Sequence, residues 1–121
     1  MHWDAGIILD QNWTSLKELI LTSTSLSDDG AIWLANNPSW KNLKNLHLKK
    51  NYNTDMGASS IGMNLRCERL EELDLSYNEI SESAVFIGEY SSWKYLKKLD
   101  LSSNKINAKS AESLARNTVE C

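Results

Sequence analysis

The sequence predicts a curved, right-handed α/β solenoid, with short parallel strands on its concave side and helices on its convex side. Three observations carry this. A six-residue pattern, Leu-x-x-Leu-x-Leu, occurs four times, at Leu16–Leu21, Leu43–Leu48, Leu70–Leu75 and Leu96–Leu101, at intervals of 27, 27 and 26 residues. Three copies run on to an asparagine, Asn51, Asn78 and Asn104, where the first copy has Thr24. Each copy is followed by a stretch with helical spacing. Four copies in register over most of the chain are the signature of a stacked-repeat architecture.

Alternation in Leu-x-Leu puts two leucines of each copy on one face of a short strand. One strand cannot bury that face alone, so stacked copies pair into a parallel sheet over a continuous apolar interior. The asparagine follows where the chain turns away, and its amide can both donate to and accept from backbone groups left open there. Thr24 can do this only in part. Leu26, Ile80 and Ile106 form an apolar column after the turn. Ser27 or Asp28 can cap a helix over Gly30–Ala35, which Pro38 follows. Ser81 can cap a helix around Ala84–Tyr90, and Asn107 one over Ala108–Arg116, with Ala111, Leu114 and Ala115 as an inward stripe. The second copy reads as the weakest: Gly57 and Gly62 lower its helix propensity, and Asn53 stands in the apolar column. The loop Asn51–Asp55 is therefore expected to be irregular. Repeats are expected at about 13–39, 40–66, 67–92 and 93–121, within one domain over 1–121. Residues 1–12 read as a partial repeat or cap.

On these residues the chain resembles leucine-rich-repeat proteins over about 13–117. The period near 27 and the small residue opening each second half are similar to the ribonuclease-inhibitor-like subclass. The resemblance implies that the asparagines form a ladder and that the non-leucine strand positions face the concave side. It implies no single function, because this scaffold serves as inhibitor, as sensor module of innate-immune receptors and as recognition domain of bacterial effectors.

Composition agrees with a globular chain. Of 121 residues, 24% are charged and 41% apolar, and the net charge is −3. That is too mild for a polyanion-binding protein. No apolar run approaches the roughly 20 residues that cross a bilayer, and Met1-His2-Trp3-Asp4 does not open a secretory signal. The two cysteines, Cys67 and Cys121, lie two repeats apart, about 9–10 Å along the tightest side of the stack. A disulfide needs Cα atoms within about 7 Å. Cys67 takes the column of Trp13, Trp40 and Trp93, where a small core hydrophobe is expected, and Cys121 is expected to be exposed. This usage fits a reducing compartment. A cytoplasmic location is expected, or the host cytoplasm for part of a secreted effector. The sequon at Asn12-Trp13-Thr14 is discounted, since Trp13 reads as core.

The outward strand positions can be read in columns. The first is Glu18, Asn45, Glu72 and Lys98. The second is Ile20, His47, Asp74 and Asp100. The third is Thr22, Lys49, Ser76 and Ser102, and the fourth is Ser23, Lys50, Tyr77 and Ser103. His47, Lys49 and Lys50 thus lie beside Glu72, Asp74 and Tyr77, with Lys98 and Asp100 in the next repeat. A basic strip against an acidic one suits a protein partner better than a polyanion. Tyr77 is the best anchor candidate, as an aromatic with a polar tip. These eight residues form the predicted partner-binding set. The ordinary alternative is a solvated face.

His47 with Asp74 and Asp100 has the residue types of a general base or a metal site. The face is open and shallow, and no nucleophile, phosphate or Cys/His metal motif accompanies it. The expectation is therefore a non-enzyme without cofactor or metal that binds an unidentified protein, and neither nucleic acid nor membrane. The alternative is a structural unit that self-associates through its open edge strands.

Overall fold

The computed structural model describes residues 14–37, 40–85, 87 and 93–112. Each Leu-x-Leu segment forms a three-residue strand: β1 (Glu18–Ile20), β2 (Asn45–His47), β3 (Glu72–Asp74) and β4 (Lys98–Asp100). They form one sheet in the order β1-β2-β3-β4, with every pair parallel. The register aligns Leu19, Leu46, Leu73 and Leu99, as the 27-residue spacing predicts. Pairing continues past the strands. Leu48 N–H donates to Asp74 O at 2.8 Å, and Lys50 N–H to Ser76 O at 3.0 Å. The chain is an α/β repeat solenoid.

The leucines point inward. Leu46, Leu48, Leu70, Leu73 and Leu75 are at most 1% exposed. Full burial of one such side chain is worth about 2 kcal/mol. Leu99 and Leu101 are only half-buried, so the interior is thickest in the second and third repeats. Trp40 and Trp93 pack into it and each donates its indole N–H to a backbone carbonyl, Leu34 O and Leu65 O, at 3.0 Å. Their fixed spacing serves the core. Cys67, in the same column, is wholly buried and free. Desolvation pushes its thiol up to about 12, so it is an inert core group.

The asparagine ladder forms. Asn78 Oδ1 accepts the N–H groups of Asn51 (3.0 Å) and Asn53 (2.9 Å), and its Nδ2 donates to Leu48, Leu75 and Ser76 carbonyls. Asn51 does the same toward the first repeat, accepting from Thr24 and Leu26 N–H and donating to Leu21 O at 2.7 Å. Thr24 reproduces part of this: its hydroxyl lies 2.8 Å from Leu21 O.

Two helices are described in full, α1 (Ser27–Ala35) and α2 (Asp55–Asn64). Residues 84–85 and 87, and 108–112, are also helical. Their capping differs from the expectation. No side chain caps α1 from its own repeat. Asp28 instead crosses to the next repeat and accepts from Thr54 N–H (2.8 Å), Thr54 Oγ1 (2.5 Å) and Gly57 N–H (3.0 Å). Asp55 repeats this one unit on, accepting N–H and hydroxyl bonds from both Ser81 and Ser83. Ser81 is thus a donor to a cap, not the cap. Parallel helices set their amino-terminal N–H groups side by side, so one carboxylate can serve its neighbour. Asn107 does cap locally, taking Ser110 N–H at 2.9 Å.

The glycines of the second repeat are packing residues. A Cβ on Gly57 would stand 2.5 Å from Asp28 Oδ1, and one on Gly62 would stand 3.1 Å from the Ile87 backbone. Contrary to the expectation of a weak helix, α2 has ten residues and α1 nine. The loop before α2, expected to be irregular, follows the turn of the preceding repeat. Lys50 and Tyr52 both take left-handed backbones, at φ 57° and 61°, as Ser23 and Ser25 do one repeat earlier. Asn53 is wholly buried in the apolar column, and its Oδ1 has no partner. Its one side-chain bond, to Ser27 O at 3.3 Å, is weak. Asn53→Leu is therefore expected to raise stability by about 1 kcal/mol, read as a higher denaturation midpoint in urea.

Ala111 is exposed, which corrects its place in an inward stripe. The expectations for Trp13, Pro38, Tyr90, Leu114, Ala115, Cys121 and the partial repeat at 1–12 lie outside the described residues.

Candidate functional site

The face of the sheet opposite the leucines carries the predicted set. The strand register places Asn45 beside Glu72 and Glu72 beside Lys98, and His47 beside Asp74 and Asp74 beside Asp100. His47, Glu72, Leu73, Asp74, Lys98 and Asp100 line one hollow of about 30 Å³, roughly the space of a single water molecule. Five of the eight predicted residues meet there. Lys49, Lys50 and Tyr77 lie beyond it, at the turn that leaves the sheet.

That turn has a fixed geometry. Ser23, Lys50, Tyr77 and Ser103 all adopt φ between 55° and 57°. The fourth column is thus a row of left-handed turn residues rather than strand residues. A bulky residue in this conformation costs about 1 kcal/mol or more. Tyr77 bears that cost while 54% exposed, with Lys49 Nζ 5.1 Å from its ring centroid. A cation over an aromatic face at this distance holds both side chains in place. A stiff aromatic–cation pair stands at the rim of the charged face.

The two aspartates of the second column have structural duties. Asp74 Oδ1 accepts Ser76 N–H at 2.9 Å and its hydroxyl at 2.6 Å. Asp100 does the same with Ser102, at 3.0 and 2.6 Å. These local bonds fix the backbone just past each strand; β1 and β2, with Ile20 and His47 at this position, also have three residues. The Ser102 hydroxyl and N–H hold the Asp100 carboxyl below the usual carboxylate range, with a further pull from Lys98 and Lys49. Glu72 and Lys98 are register neighbours without an ion pair between them. Their charges stay open to a partner.

Three residues that sequence reasoning passed over also present themselves. Ile20, in the His47 column, is 57% exposed on the same face. Tyr52, 64% exposed, stands one turn beyond Lys50. Its left-handed φ is the kind of signal that only coordinates reveal. Trp33 is 58% exposed on α1. Among the described residues, no cluster of three His, Cys, Asp or Glu side chains could hold a metal ion. No described helix is long and apolar enough to cross a membrane.

Comparison with known proteins bears on this geometry. A family profile described as "Leucine Rich repeat" matches residues 14–35, 66–84 and 94–115, just over half of the chain. Among solved structures, one similar chain is the leiomodin-1 actin-binding site 2. It is 15% identical with a TM-score of 0.71, and the match covers 93% of this chain and 69% of that one. At that identity the likeness concerns the fold. No curated protein matches the chain.

Proposed function

The chain belongs to the leucine-rich repeat family, and on that premise we propose that it is a protein–protein interaction module whose concave sheet face grips its partner. The observation that carries this is the charged face itself. His47 and Lys98 stand among Glu72, Asp74 and Asp100 around one shallow hollow, with Lys49, Lys50 and the exposed Tyr77 at its rim. A sheet pinned by the asparagine ladder and by cross-repeat caps is stiff, so little conformational entropy is lost on binding. Interleaved charges select a partner of complementary pattern. The fold neighbour's name describes an actin-binding site, which supports a protein as the class of partner here.

Recognition, not catalysis, fits the site. A hollow of about 30 Å³ has no room for a substrate, and its aspartates are engaged with Ser76 and Ser102. The repeat spacing of 27 residues supports the ribonuclease-inhibitor-like subclass and a single domain over 1–121. The inert, free Cys67 supports a reducing, cytoplasmic setting. A second reading is self-association through an edge strand of the described sheet, β1 or β4.

Capture from a cell lysate under reducing conditions tests the proposal. The native chain is expected to retain a partner that Tyr77→Ala binds at least tenfold more weakly, an effect typical of an interface anchor. Equal capture by both chains, with unchanged circular dichroism, would move the binding surface elsewhere. Retention of the chain alone, with mass rising with concentration, would favour self-association.

A further inference from the structure

A second surface lies on the opposite edge of the solenoid, where the turns lead into the strands. Residues 14–17, 40–44, 66–71 and 93–97 hold seven of the chain's thirteen basic residues and two of its sixteen acidic ones. This edge is strongly positive on a chain whose net charge is −3. Two adjoining hollows mark it, of about 530 and 430 Å³, which share Glu68 and Arg69. Lys41, Asn42 and Arg66 complete the first; Lys44, Glu71, Tyr95 and Lys97 complete the second.

The cations there are unspent. Glu71 pairs with Lys97 at 3.4 Å. No carboxylate among the described residues pairs with Lys41, Lys44, Arg66 or Arg69. Lys41, Arg66 and Arg69 are exposed, and Tyr95 is 63% exposed at the far end of the groove. Stacked repeats recur every 4.8 Å or so, while an extended peptide rises about 3.3 Å per residue. About three residues of an extended segment therefore span two repeat steps.

We infer that this basic edge is a docking groove for an extended acidic segment of a partner protein. Glu68 decides against a uniform polyanion. It lies between the two hollows without an ion pair, and a phosphate backbone would place charge against it. A peptide can set a neutral or basic residue there and keep carboxylates opposite Lys41, Arg66 and Arg69. Tyr95 offers a ring face to an apolar neighbour of that segment. The groove is separate from the sheet face, so the failure of either surface leaves the other standing.

Fluorescence anisotropy with a labelled acidic peptide whose glutamates are interrupted by neutral glycines, Glu-Glu-Gly-Glu-Glu-Gly-Glu-Glu, tests this. The native chain should bind it saturably and more weakly as salt rises. The Lys41→Glu/Arg66→Glu/Arg69→Glu variant should lose at least tenfold in affinity. The milder Arg66→Gln/Arg69→Gln variant should lose severalfold while retaining the native melting profile. Lys49→Glu/Tyr77→Ala, on the sheet face, should bind as the native chain does. Absence of saturable binding, equal affinity in the groove variants, or equal loss in the sheet-face variant would overturn the inference. So would tighter binding of inositol hexakisphosphate through the same residues.

Discussion

Asn78→Ala is expected to cost about 3–5 kcal/mol, a large share of the stability of any domain of this size. The side chain is buried and satisfies five backbone groups: the N–H of Asn51 and Asn53, and the carbonyls of Leu48, Leu75 and Ser76. Alanine leaves these groups inside the fold without partners, and each unsatisfied buried group costs about 1–3 kcal/mol unless water reaches it. The melting temperature should fall by roughly 12–20 °C, as scaled for this chain length. Asn104→Ala should cost clearly less. Asn104 is half-buried and near the end of the described stack, and its Oδ1 accepts from Ile80 N–H at 2.9 Å. Urea denaturation of the two variants checks the order. Equal losses would mean that the ladder does not act through burial.

The second large effect falls on the cross-repeat cap. Asp55 receives four hydrogen bonds, two from Ser81 and two from Ser83, at 2.5–3.0 Å. Asp55→Ala is expected to cost about 2–3 kcal/mol, because it uncaps the next helix and strands two hydroxyls. The same site makes stability depend on pH. Burial alone would raise the Asp55 carboxyl, but the serine donors outweigh it and hold it at about 2, against 3.8 in the absence of such partners. A carboxyl lowered by folding stabilises the folded state above its unfolded value and loses that contribution as it is protonated. The contribution of Asp55 is thus full above pH 3.8 and fades as the pH falls through about 2. Asp55→Asn imitates the protonated group. Its deficit against the native chain should be constant near neutrality and shrink in acid. Thermal melts across that range report it, and a deficit that grows in acid would refute the cap.

Much of the scaffold was legible in the sequence because it depends on periodicity. The leucine columns, the strand register and the ladder asparagines each repeat at a spacing that only stacking explains. Thr24 as a partial substitute and Cys67 as a core residue follow from the columns they occupy. The features that were not legible are those that cross between repeats. Asp28 looks like the cap of its own helix, because the sequence shows its neighbours and hides the helix packed alongside. Gly57 and Gly62 look like propensity defects until the positions of Asp28 and Ile87 are known. The eight predicted site residues are on the expected face and its rim. The left-handed turn that separates Lys50 and Tyr77 from the strand face is set by backbone geometry that no residue pattern announces, since Ser, Lys and Tyr all occupy it. The basic edge escaped notice because its charges are spread over four turns and join into one surface only when the repeats stack.

Asp74 and Asp100 each hold the turn after their strand through Ser76 and Ser102, so changing them would disturb the fold as well as the surface. Lys49, Tyr77 and Lys98 carry no such duty and make the cleaner probe. The decisive measurement is a titration of the purified partner against three proteins: the native chain, Lys49→Glu/Tyr77→Ala/Lys98→Glu on the sheet face, and Trp33→Ala/Met63→Ala on the helices. Loss of at least a hundredfold in the first variant, with the second within twofold of the native chain, is the predicted result. Native affinity in a folded sheet-face variant, or a loss confined to the helix variant, would contradict recognition through the concave face.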